Sequence, residues 1–260
     1  MAVTNFIQQI WSKKIQDDLE LKCKLVDNCL RDYEGDCKYA QSVKILGVGE
    51  PTIGDYTGAD ITIEEMSDKG QILTIDQAKY FAFYVDDIDK AQSVPGLAEK
   101  YQEKAVHGLA VARDTYVATL IQGAANKTNV TMTEDGFKKG IDDAIVALRE
   151  RNFDEEGVIE ITPAGYALFK NHLITLSTNN PEYIKKGIVG MYDNMEVIMS
   201  NNLKTPGCVR GKKAIAFAGQ INEVEALRAE KKFKDIVRGL DTFGAKVIDE
   251  NRIQVLVASA

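Results

Sequence analysis

Between residues 80 and 85 apolar positions alternate with period two. Phe81, Phe83 and Val85 fall on one face, and Tyr80, Ala82 and Tyr84 on the other. Aromatic and β-branched residues in that alternation predict a strand packed on at least one side. Asp86-Asp87-Ile88-Asp89 ends it with charge. The period then lengthens to three or four: Leu97, Tyr101, Ala105, Leu109, Ala112, Tyr116 and Leu120 form a stripe. Ser93 offers a cap, Pro95 suits a first turn and Gly123 supplies a left-handed stop. At ~1.5 Å per residue this helix would span roughly 40 Å. Glu99, Lys100, Glu103 and Asp114 read as its wetter face. A long helix laid on a sheet, within Asp76 to Gly123, is therefore expected to be the scaffold.

Upstream, Phe6, Ile7, Ile10, Trp11, Ile15 and Leu19 recur at helical spacing, with Thr4 as a cap. This arm either docks on its own domain or reaches a neighbouring subunit; amphipathic helices usually fold back on their own core. After the polar turn at residues 31–36 the pattern becomes β-like. Val43 and Ile45 alternate with Lys44, Ile61 and Ile63 with Thr62, and Ile72-Leu73 leads to Ile75. Gly47, Gly49, Pro51, Gly54 and Gly58 interrupt these runs, which predicts a long two-stranded excursion. A hairpin alone in water is marginal, so the excursion must lie on its own domain or on a partner.

Beyond a polar link at residues 126–131 a mixed segment begins. Phe137, Ile141, Ala144, Ile145 and Leu148 predict a helix capped near Thr133. Val158–Ile161 reads as a strand, Thr162-Pro163 opens another helix, and residues 197–199 and 214–217 read as buried strands. Residues 131–222 thus form an α+β domain inserted into the other. The tail turns β-rich through Ile236-Val237, Leu240, Phe243, Val247-Ile248 and Ile253 to Val257. Its natural partner is the strand at 80–85, so the chain end is expected to close the sheet beneath the long helix.

Composition narrows the function. The 260 residues carry a net charge of −7, which opposes tight binding to a phosphate backbone. No apolar run approaches the ~20 residues of a membrane span, and the N-terminus lacks a signal peptide's pattern. A soluble protein made in the cytoplasm is expected. Cys23, Cys29, Cys37 and Cys208 show no CxxC pairing, so free thiols are the default. His107 and His172 read as packed or solvated residues. Asp86, Asp87 and Asp89 could form a calcium or magnesium site, but the favoured reading is a strand-ending acidic turn that leads into the long helix. Glu223 to Lys232 reads as a solvated face of mixed charge, and the Asn-x-Thr patterns at 126 and 129 as chance. No G-x-S-x-G, HExxH, P-loop or Rossmann fingerprint occurs, and Gly47-Val48-Gly49 lacks the third glycine and the following helix. A long helix, an unsupported hairpin and an amphipathic arm point to surfaces built for assembly.

The motifs Phe6-Ile7-x-x-Ile10-Trp11-Ser12, residues 31–35 (RDYEG), 75–83 (IDQAKYFAF) and 85–92 (VDDIDxAQ) resemble major capsid proteins of tailed bacteriophages. So do Val224-Glu225, Arg238-Gly239-Leu240 and residues 244–247 (GAKV), in order over nearly the whole chain. The resemblance implies an α+β, Hong Kong 97-like capsid fold. Residues 1–30 would be an N-arm and 41–75 the extended β-hairpin loop. Residues 31–40, 76–130 and 223–260 would form the peripheral domain with its spine helix, and 131–222 the axial domain. In that family the arm and loop lie across neighbouring subunits, which reverses the expectation drawn from periodicity.

Contact candidates between subunits are then Phe6, Ile10, Trp11, Ile53, Tyr56, Ile61, Ile63 and Lys69, with Gly47, Gly49, Gly54 and Gly58 as hinges. Copies would close into pentamers and hexamers of an icosahedral shell around double-stranded DNA, in a virion assembled in the host cytoplasm. No cofactor, metal, catalytic residue or membrane is implied. Portal and decoration proteins would be partners, and Met1 directly before the arm implies a separate scaffolding protein. A cross-link through Lys69 has no supporting motif. The rival readings are an encapsulin-like cargo shell of the same fold and a small cysteine-dependent enzyme using Cys208 or Cys37.

Overall fold

The structure, a computed structural model, describes residues 19, 23–34, 42–45, 70–86, 97–172, 188–228 and 234–259. The alternating stretch forms strand β3, Gln77–Asp86, which pairs antiparallel with the long strand β10, Lys234–Val247. β9, Ile215–Arg228, flanks β10 on its other side. The order β3-β10-β9 makes a three-stranded sheet, and helix α1, Leu97–Gly123, covers one face of it. Phe81, Phe83, Val237, Phe243 and Ala245 meet Val106, Leu109, Ala110, Val117 and Ile121 in that core. Gly239 lies under Phe81, whose ring a Cβ would strike at 2.5 Å, so a small residue there lets the aromatic lie flat across the next strand.

The rest builds a six-stranded sheet, ordered β4-β11-β8-β5-β7-β6. Its strands are β4 Lys127–Val130, β5 Gly157–Ile161, β6 Ile188–Tyr192, β7 Met195–Met199, β8 Gly207–Gly211 and β11 Ile253–Ala258. Helices α2, Glu134–Arg149, and α3, Pro163–Phe169, pack on one face through Phe137, Ile141, Leu148 and Phe169. Both begin on a threonine whose hydroxyl accepts a backbone N–H three residues on: Thr133 from Gly136 and Thr162 from Gly165. Because the opposite face meets α1 and residues 23–29, every residue of β5 and β8 is buried. A small hairpin, β1 Ser42–Ile45 with β2 Gln71–Thr74, rests on the start of β9 through Val43, Ile45, Leu73, Ala216 and Ala218.

Three expectations are corrected. The buried arc of α1 is rotated from the apolar stripe: Tyr101 is 53 % exposed, whereas Asp114, assigned to the wet face, is 1 % exposed. A second layer causes this. Asp114 accepts the backbone N–H groups of Lys24, Leu25 and Val26 at 3.0–3.2 Å, so a carboxylate is wanted where a turn presents donors. Residues 127–130, read as a polar link, form strand β4 beside β11; only Val130 is buried, which leaves almost no alternation to read. The chain end does not close the sheet under α1: β11 enters the six-stranded sheet between β4 and β8, with Gln254 bonded to Thr128 and Arg151.

The exit of the hairpin crosses β10 tightly. A Cβ on Gly244 would lie 2.1 Å from the Thr74 carbonyl oxygen and 2.9 Å from Ile75 Cα, both backbone. Gly244→Ala is therefore expected to cost ~1–3 kcal/mol, the usual range for overpacking. A lowered urea midpoint of the full-length chain checks it.

Candidate assembly interface

While α1 covers one face of the three-stranded sheet, the other carries large apolar side chains into the open. Tyr80 is 80 % and Tyr84 67 % exposed, and Leu227 and Leu240 are exposed as well. Strand register arranges them in rows. Tyr84, Ile236 and Leu227 are aligned across β3, β10 and β9; Ala82, Arg238 and Glu225 follow; Tyr80 and Leu240 come next. Arg238 Nε donates to Glu225 Oε2 at 2.7 Å, so one ion pair divides two apolar rows. A shallow hollow of about 470 Å³ opens between them, lined by Tyr80, Phe81, Ala82, Glu225, Arg238, Gly239 and Leu240. Flat aromatic area around one fixed polar pair is the composition of a protein–protein contact.

Behind this face the strands are held from the helix side. Asp241 sits beside a register shift in the β9–β10 pairing and turns inward, where Arg113 donates to it in a two-pronged, buried pair. The guanidinium also lies 5.6 Å from the Phe217 ring and 5.9 Å from the Phe243 ring. Burial pushes the Asp241 carboxyl up and Arg113 opposes that shift.

A second polar junction fixes where the N-terminal stretch enters. Arg210 on β8 donates to both Glu160 oxygens, from Nη2 at 2.7 Å and Nε at 3.1 Å. The same guanidinium donates to the carbonyls of Asn28 at 2.7 Å and Leu25 at 3.0 Å. With Asp114 on the amide side, the 24–29 turn has its donors tied to α1 and its acceptors tied to the six-stranded sheet. The last part of the stretch read as an arm is thus built into its own body, with Leu19, Cys23, Leu25, Val26 and Cys29 buried.

The proposed contacts Phe6, Ile10, Trp11, Ile53, Tyr56, Ile61, Ile63 and Lys69 and the hinge candidates Gly47, Gly49, Gly54 and Gly58 all lie outside the described residues, as does Cys37. The sequence pattern leaves Arg210, Glu160 and the Tyr80–Leu240 face without a role and puts Asp114 on the wetter face of the helix. The alternation at 80–84 already placed both tyrosines on the face opposite Phe81. A lone arginine inside Gly207–Gly211 was the signal for the junction. Among the described residues, no cluster of three or more His, Cys, Asp or Glu side chains could hold a metal ion.

His107 is exposed and His172 lies beside Phe169. Cys23, Cys29 and Cys208 are free and buried. Burial raises all three thiols, Cys29 to about 11 despite the lowering effect of Arg210. At pH 8 that cuts the Cys29 thiolate roughly 100-fold below an ordinary thiol. Alkylation of the native chain should leave these three unmodified, and unfolding should expose them; peptide mass mapping reads both. Modification of native Cys208 would reopen the enzyme reading.

No protein-family profile matches the sequence, and no curated protein does. Solved structures do match. A chain from Mycobacterium phage Che8 superposes with TM-score 0.69 at 26 % identity, over 89 % of this chain and 90 % of that one. The capsid of cyanophage P-SCSP1u matches with TM-score 0.69 at 16 % identity, covering 89 % and 86 %. This is the Hong Kong 97-like capsid fold. The virus-like particle of Pyrococcus furiosus shares it at TM-score 0.60 and 13 % identity, covering 96 % and 99 %. α1 covers one face of the three-stranded sheet in this fold, and the Tyr80–Leu240 face is the side it leaves free.

Proposed function

We propose that the chain is the major capsid protein of a tailed phage, a structural subunit without catalytic function. Many copies assemble as pentamers and hexamers into an icosahedral shell around double-stranded DNA. The observation that carries the reading is the match to the phage Che8 chain over nine-tenths of both chains, with the highest identity among the structural matches reported above. The apolar outer face of the three-stranded sheet supports it, because a second copy seated there would remove Tyr80, Tyr84 and Leu240 from water.

In this reading the arm, expected over 1–30, is limited to the residues before the 24–29 turn, and 41–75 acts as the extended loop, both crossing to neighbours. The three-stranded sheet with α1 is the body of the peripheral domain and the six-stranded sheet with α2 and α3 that of the axial domain, so β4 and β11 pass from the peripheral set read from the sequence to the axial one and residues 215–222 pass the other way. Each contact is weak, and closed symmetry makes many of them act together. A net charge of −7 contains DNA without gripping it. A scaffolding protein, a portal and decoration proteins are the expected further partners, and the virion is the final location, reached by assembly in the host cytoplasm.

The Pyrococcus particle has the same fold, so a cargo-holding shell is the second reading; its lower identity and TM-score place it behind. Nucleic-acid analysis of particles purified from the natural host separates the two. Nuclease-protected double-stranded DNA of genome length is expected. Shells that hold a protein cargo and no genome would overturn the phage reading.

A further inference from the structure

Residues 30–33, which follow the anchored 24–29 turn, and the β1–β2 hairpin meet the body at one place. Leu30 donates its N–H to Ile215 O at 2.8 Å and accepts from Phe217 N–H at 2.9 Å, a one-residue bridge to the start of β9. Three residues on, Tyr33 packs on the cluster formed by Val43, Ile45 and Leu73 with Ala216 and Ala218. The hairpin is tied to the same spot from its other end. Gln71 Nε2 donates to Ile248 O at 2.9 Å, and Lys246 Nζ donates to Ile72 O at 3.0 Å. Ala216 pairs with Lys246 and Ala218 with Gly244, the residue over which the chain crosses at Thr74. Both roots therefore rest on one small-residue platform of β9 and β10, with Leu73 fully buried between them.

We infer that the 30–33 segment and the β1–β2 hairpin at the base of the extended loop are set as one unit through this shared root, so that seating the loop on a neighbouring copy biases the segment that leads out of the 24–29 turn. Close packing is what carries the coupling: Tyr33 and Leu73 touch a common surface, and neither can shift without opening a gap beside the other. The consequence for assembly rests on the capsid reading, but the coupling itself belongs to the single chain. Energetic coupling is reciprocal, so a change at either root must be felt at the other.

Hydrogen exchange by mass spectrometry on the soluble full-length chain tests this. Leu73→Ala should speed exchange at residues 42–45 and 71–74, and also at the Leu30 and Phe217 amides by at least about 5-fold, the lower range of such couplings. Peptides over β5 and β7 serve as the reference and should not change. Tyr33→Ala should produce the reciprocal effect at 42–45 and 71–74. Acceleration confined to the mutated root in both variants would overturn the inference. If Leu73→Ala loosens the reference strands too, Leu73→Val and Tyr33→Ala decide in the same way. Because the readout needs no particle, its failure would leave the capsid reading standing.

Discussion

Replacing Arg210 by alanine should leave little folded chain. The side chain and its partner Glu160 are fully buried, and removing one member of such a pair costs ~3–5 kcal/mol, because the other charge is left without compensation. Two further acceptors, the Leu25 and Asn28 carbonyls, would lose their donor, and an unsatisfied buried acceptor costs ~1–3 kcal/mol. A domain of ordinary stability has only ~5–15 kcal/mol to lose. Arg210→Lys keeps the charge but cannot fork to two carboxylate oxygens and two carbonyls, so it should fall between the alanine variant and the natural chain. Urea midpoints order the three. An Arg210→Ala chain that melts within ~1 kcal/mol of the natural one would show that the junction is not holding the N-terminal turn.

The second large effect lies on the exposed face of the three-stranded sheet and spares the fold. Tyr80→Glu combined with Leu240→Glu places two carboxylates in adjacent register on the exposed sheet face. The two positions are direct cross-strand partners, so like charges there cost the pair ~0.2–1 kcal/mol, which leaves the circular dichroism unchanged and lowers the melting midpoint by only a few degrees. A contact that covered both would have to bury two unpaired charges, at several kcal/mol each, repeated at every copy. Assembly should therefore be abolished, with sedimentation showing subunits or small oligomers in place of particles. Normal particles from this variant would remove the face from the list of contacts.

How legible all this was depends on what each element buries. The strand at 77–86 and its partner β10 could be read because one face is aromatic and packs on a helix, so burial and periodicity agree. The same holds for α2, whose apolar residues at 137, 141, 144, 145 and 148 are the buried ones. Agreement fails where polar groups do the packing. Asp114 lies on the side of α1 that looks charged, yet it is buried because the 24–29 turn presents three amides to it. Arg210 interrupts a short buried strand, and nothing local to Gly207–Gly211 says that it serves backbone carbonyls some 180 residues earlier in the chain.

The last strand shows a third kind of limit. Ile253 to Val257 has the alternation of a β-strand in either sheet, and pairing with β4 and β8 is decided by partners far away in sequence. The interface was legible only in half. Tyr80 and Tyr84 could be placed on the face opposite Phe81, but exposure of that face depends on a layer that no neighbouring residue encodes. The apolar periodicity points instead to Phe6, Ile10 and Trp11 of the arm and to Ile53, Tyr56, Ile61 and Ile63 of the loop, which lie outside the described residues.

Electron microscopy of the purified full-length chain, over a range of concentration and salt, bears most directly on the central claim that copies of this chain complete one another. Closed, icosahedral shells are expected, with the Tyr80–Leu240 face covered by another subunit in a reconstruction. A protein that stays monomeric under every condition, with Tyr80 and Tyr84 still open to solvent, would contradict it.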